Sequence, residues 1–138
     1  MADTVTTYNC KDVHITFGGE SVYGWAEDSF ITIEPNTDGI TKKVGCDGEV
    51  ARAIMPDRTY KVRIVLMQTS PWNEKFQQYY YADREGGDGI KPLSIEAPNG
   101  MPYFQADAWI VRSTSYSYGK DVGNREWQFD TASAQATF

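Results

Sequence analysis

One histidine and two cysteines occur in 138 residues, and that scarcity excludes several chemistries. His14 sits alone at an alternating, strand-like position, so no Ser-His-Asp set can be assembled, and no G-x-S-x-G occurs. Cys10 and Cys46 match no metal-ligand spacing, and no metal is expected. Two cysteines are also too few for a disulfide scaffold; they read either as reduced thiols or as a crosslink between copies formed in an oxidising medium. Long apolar runs are missing, so no membrane span is expected. The opening residues, MADTVTTYNCKDV, lack a basic region followed by an apolar stretch. The expectation is a chain without a secretory signal, folded in a cytoplasm.

Cofactor and catalytic patterns are equally thin. Gly18-Gly19 and Gly86-Gly87-Asp88-Gly89 match neither a phosphate-binding loop nor a dinucleotide fingerprint. Asp83, Glu85 and Asp88 do not have the spacing of a calcium-binding EF-hand loop. Glu27-Asp28 are neighbours in an extended stretch and point to opposite faces, so they make a poor glycosidase pair. No enzyme activity and no cofactor are expected.

Basic residues are absent from Asp12 to Thr41, where six acids fall: Asp12, Glu20, Glu27, Asp28, Glu34 and Asp38. Lys42, Lys43, Arg52, Arg58, Lys61 and Arg63 follow, against Asp47, Glu49 and Asp57. The net charge is −6, from 13 basic and 19 acidic residues, so binding to nucleic acid by phosphate neutralisation is not expected. The acidic block followed by a mainly basic one reads either as solvated faces of unlike sign or as complementary contact between copies of the chain.

What is present fits one folded domain over residues 1–138: 41% hydrophobic and 14% aromatic residues suffice for one core. Val13, Ile15 and Phe17 alternate with polar neighbours. Phe30-Ile31-Thr32-Ile33 is β-branched and aromatic, and Pro35-Asn36-Thr37-Asp38-Gly39 breaks it. In the clearest strand, Tyr60, Val62, Ile64 and Leu66 face one way while Lys61 and Arg63 face the other. Ser70-Pro71 then opens a helix over residues 71–83, with Ser70 as N-cap. Trp72, Phe76, Tyr79 and Tyr80 lie on one face of it, and Gly86-Gly87 stops it. Lys91 to Glu96, Tyr103 to Arg112 and Arg125 to Asp130 are further strands. Ile40 to Met55 reads as a loop or a loose hairpin without an apolar side to bury in its own subunit; loops this long are usually functional or disordered. The sum is mainly β: a sandwich or barrel with one flanking α-helix and a long loop over residues 36–55.

The ordered set KKVGCDGEVARAIMPDRTYKVRIVLMQTSPWNEKF, GIKPLSIEAPNG, ADAWIVR and NREWQFD resembles the tail tube proteins of contractile-tailed bacteriophages, and the resemblance runs from about Val13 to Asp130. One departure is Cys46, where the family pattern has a small residue. The resemblance implies a structural virion subunit assembled in the bacterial cytoplasm. Six copies form a ring, their strands line a continuous inner β-barrel, and the rings stack into a tube that passes genomic DNA without specific binding. Its partners are then itself, the sheath, the baseplate and a tail terminator. Residues 1–11 become an N-terminal arm and residues 36–55 an inter-subunit loop. Glu20, Glu27, Asp28 and Glu34 become candidates for the lumen wall, where acids repel phosphate. Lys42, Lys43, Asp47, Arg52 and Arg58 become candidate inter-subunit contacts, and Cys10 with Cys46 a candidate inter-subunit disulfide. The helix is expected to brace the outer side of the sandwich. Two other readings stand beside this one: a tail terminator of the same fold and a carbohydrate-binding β-sandwich.

Overall fold

Alternation decides which side chains of this chain are inside. A computed structural model describes residues 5, 9–27, 30–96 and 104–136. After a turn of 3-10 helix at Cys10–Asp12 come β1 (His14–Phe17), β2 (Glu20–Ser21), β3 (Ile31–Pro35), β4 (Ile40–Val44), β5 (Val50–Ile54) and β6 (Tyr60–Met67). The helix α1 (Trp72–Gly86) follows, then β7 (Lys91–Glu96), β8 (Phe104–Arg112), β9 (Asn124–Thr131) and β10 (Gln135–Ala136). Val62, Ile64 and Leu66 of β6 are buried, as are Trp127 and Phe129 of β9 and Phe104, Ala106, Ala108 and Ile110 of β8. Their sequence neighbours point out, as a pleated strand requires.

Eight strands form one antiparallel sheet in the order β2-β1-β7-β8-β9-β6-β3, with β10 against β8. In a flat sheet Phe17 of β1 and Phe129 of β9 would stand three strand spacings apart, roughly 14 Å. Their ring centroids are 5.3 Å apart. The sheet therefore folds back on itself, and β8 is the crease. Its first half pairs with β7, from Ile95↔Phe104 to Lys91↔Ala108. Its second half pairs with β9 from Ala108↔Thr131 onward, through an irregularity between Ile110 and Arg112. The result is a sandwich of a back layer, β2-β1-β7 with the start of β8, and a front layer, β3-β6-β9 with the end of β8. The chain between β2 and β3 ties the layers together, because Ala26 donates to the Val65 carbonyl and Met67 to that of Gly24.

The helix begins where expected and runs one turn further. Pro71 is already helical, with φ −66° and ψ −16°. Ser70 holds the helix start in place: its hydroxyl donates to the Tyr23 carbonyl at 2.7 Å and accepts the Trp72 N–H at 3.3 Å. Gly87, left-handed at φ 72°, ends the helix with its N–H on the Asp83 carbonyl. Trp72 and Phe76 are buried, and Phe76 touches the rings of Phe17, Trp127 and Phe129. Those rings come from both layers. The helix thus plugs the open flank between the layers rather than covering the outer face of one, because its aromatic residues are long enough to reach the shared core.

Candidate functional site

Of the two readings of residues 40–55, a loop or a loose hairpin, the structure has the hairpin, in regular register. Among the described residues, strands β4 and β5 pair only with each other, in the register Ile40↔Ile54, Lys42↔Arg52 and Val44↔Val50. Directly opposed residues share a face. One face therefore carries two aliphatic rows, Ile40 with Ile54 and Val44 with Val50, on either side of a cationic row of Lys42 and Arg52. Every residue of both strands is exposed, Ile54 at 77%. The other face holds Thr41, Lys43, Ala51 and Ala53. The sequence does contain this apolar side, as alternation around Lys42 and Arg52. A two-stranded ribbon with both faces in water is marginal by itself.

The stem and tip are well tied nonetheless. Asp57 accepts the Thr59 hydroxyl at 2.6 Å and the Thr59 N–H at 2.9 Å. Asn36 donates from its amide to the same hydroxyl at 2.9 Å. Those bonds favour the ionised carboxylate, and the Thr59 hydroxyl first, then its N–H, hold Asp57 below the ordinary aspartate range. At the tip Asp47 accepts the Glu49 N–H, and Cys46 is exposed. The fold thus brings Lys42, Lys43, Asp47 and Arg52 together on the hairpin. Arg58 lies at its base, its carbonyl accepting the Ala134 N–H.

The front layer is open at both sides. Strand β3 pairs with β6 along one edge, and no described residue pairs with the other. On β8, β7 ends at Ala108, so residues 109–112 have no strand on that side among the described residues. Across the outward face run the rows Glu34–Lys61–Asp130–Trp109 and Thr32–Arg63–Gln128–Arg112. Glu126 adds an ion pair to Arg63 at 3.7 Å, both side chains about half exposed. Glu34, Glu126 and Asp130 thus balance Lys61, Arg63 and Arg112.

Among the described residues, the acids expected on the lumen wall do not share one face. Glu20 lies opposite Phe17 and points to the helix side, where it meets Lys75 at 2.9 Å. That carboxylate holds the Lys75 ammonium above its ordinary value. Glu34 points outward on the front layer. Glu27 is exposed beside the end of β6, in the stretch that bonds Val65. Asp28 lies outside the described residues, and so do most of residues 1–11 and the side chain of Cys10, so the pairing of Cys10 with Cys46 has no geometry here. Linear charge order cannot show that a chain switches layers between Glu20 and Glu34. Among the described residues no three metal-ligating side chains converge, and Asp83 instead accepts the Gly89 N–H.

A family model described as bacteriophage PhiTE tail tube protein matches residues 5–138. The chain belongs to this family. Tail tube proteins are structural, so the chain is a virion component and not an enzyme, which sets aside the carbohydrate-binding reading. Structural protein ORF10 of Pseudomonas phage KPP10 is 26% identical over 136 residues, spanning 92% of this chain and 79% of that protein. Among solved structures, a chain of the tube-terminating cap of the anti-feeding prophage superposes with a TM-score of 0.69 at 9% identity, covering 99% of this chain and 95% of that one. A chain of the sheath-tube complex of an extracellular contractile injection system, in its extended state, gives 0.65 at 10% identity, covering 95% and 91%. These likenesses are of fold. No helix among the described residues is long and apolar enough to cross a membrane.

Proposed function

We propose that six copies of this tail tube protein join their front layers edge to edge, the free edge of β3 in one copy against residues 109–112 of the next. The two open edges of one sheet carry this reading. They lie on opposite sides of the layer, so the contact is heterologous and a ring forms when its rotation closes. Closure removes edges that would otherwise aggregate. The front face then lines the lumen, and the helix and back layer stand outside it. With Glu34, Glu126 and Asp130 balanced by Lys61, Arg63 and Arg112, such a wall neither grips nor strongly repels passing phosphate.

Rings of this kind stack into a tube inside a contractile sheath, seated on a baseplate, and DNA crosses the lumen at ejection. Likeness to the sheath-tube complex supports this setting. The exposed hairpin of residues 36–55 supplies the contact between copies, and Cys46, exposed at its tip, crosslinks to Cys10 of a neighbour in an oxidising medium. Likeness to the tube-terminating cap favours a second reading, a terminator that stops at one ring. Negative-stain microscopy of the purified protein separates the two. Hollow rods of many rings with sixfold class averages are expected; single rings favour the terminator, and a lone molecule at every concentration and salt removes both.

A further inference from the structure

Two exposed patches stand at opposite ends of this molecule. Strand β6 runs from Tyr60 to Met67, and β9 runs antiparallel to it, with Met67 opposite Asn124. The hairpin leaves the sheet where Pro35 faces Tyr60, and so projects from that end. The loop of residues 113–123 sits at the other end, where Gly123 exchanges hydrogen bonds with Gln68. This loop exposes Tyr116 at 54%, Tyr118 at 78% and Val122 at 58%. Beneath its rings lies Arg125, only 5% exposed, its guanidinium 4.4 Å from the Tyr116 ring centre and 5.2 Å from that of Tyr118. Arg125 has no carboxylate partner among the described residues. Both rings stay more than half exposed, the Tyr116 hydroxyl donating to Gln77 of the helix at 2.9 Å.

We propose that the apolar-cationic face of the hairpin in one copy docks on the loop of residues 113–123 of the copy stacked above or below it. This rests on the ring-stacking reading above and adds the receiving surface. Two patches at opposite ends cannot meet within one copy; they meet when copies are related along the strand direction. That contact is heterologous and open, as a growing tube requires. The hairpin strands carry Lys42, Lys43 and Arg52 and no acid. The receiving end exposes Glu27 and Asp121 against Lys120, with Arg112 and the Arg63-paired Glu126 beside the loop. The aromatic faces add a favourable site for Lys42 and Arg52, and the two aliphatic rows exclude water around them.

The exposed thiol of Cys46 reports on the contact. In a Cys10→Ser background, Val122→Cys leaves both tyrosines in place, and assembled rods are treated with a short bismaleimide. A covalent ladder on denaturing gels is expected from Val122→Cys and from Tyr118→Cys. None is expected from Tyr81→Cys on the exposed helix face or from the background alone. Rods that give a ladder through Tyr81 and none through Val122 or Tyr118 overturn the docking site while leaving the tube intact. Absence of rods in the Cys10→Ser background, where no partner cysteine has been added, counts instead against the ring reading.

Discussion

Phe76 concentrates the core energetics at the scale of single residues. Its ring is fully buried and meets both layers and Trp72, so truncation leaves a cavity that no single element can collapse into. Phe76→Ala should cost about 3–5 kcal/mol, read as a shift in the denaturant midpoint of the monomer. An unchanged midpoint would mean that the helix does not seal the sandwich. Gly24 is a second sensitive position. Its φ is +86°, and an added Cβ would run into the Ser70 side chain that anchors the helix start. Gly19 has the same φ with open space around it. Gly24→Ala should therefore destabilise by more than about 1 kcal/mol and by more than Gly19→Ala, the difference isolating crowding from backbone strain. Neither demand is visible in the sequence, where Gly19 reads as part of a Gly-Gly turn and Gly24 lies within the extended stretch from Ser21 to Glu34.

Among the elements, those whose pattern serves the chain's own core were legible. Strands β6, β7 and β9 follow from alternation, and α1 from aromatic spacing, because their partners lie in the same molecule. The hairpin was only half legible. A cationic row between two aliphatic rows looks like interrupted polarity until the register Lys42↔Arg52 aligns it, and no contact inside the subunit explains it. Its stem is the acid-sensitive part. Asp57 titrates below the ordinary aspartate value, so its bonds to Thr59 are intact at and above that value. They are lost as pH falls through the lowered value, beneath about pH 4. Amide exchange at Thr59 should rise in that window in the wild type, whereas Asp57→Asn should show no such acid transition. Equal acid sensitivity in both proteins would assign the transition elsewhere.

For the whole molecule, the decisive feature is that β8 belongs to two layers, which no periodicity announces. The sequence shows one long strand with Ala106 and Ala108 on one side and Trp109 on the other. Only the pairing, with β7 ending at Ala108 and β9 starting there, reveals an edge that no described residue covers at residues 109–112. Glu20 on β2 and Glu34 on β3 stand on different layers, so the proposed lumen wall takes its charge from β3, β6, β8 and β9 together. Assembled wild-type tubes should retain little duplex DNA at physiological salt. Glu34→Lys with Asp130→Lys should make the wall cationic and produce retention that weakens steeply with salt. Binding of DNA by the wild type as strong as by this double variant would move the lumen to another face. A ring of six such layers presents about two dozen strands at ~4.8 Å spacing, a wall roughly 115 Å around before tilt. The calibre of the conduit is then a matter of how many ribbons are joined rather than of which side chains they carry. Evolution can repaint its inner surface freely without changing what is narrow enough to pass.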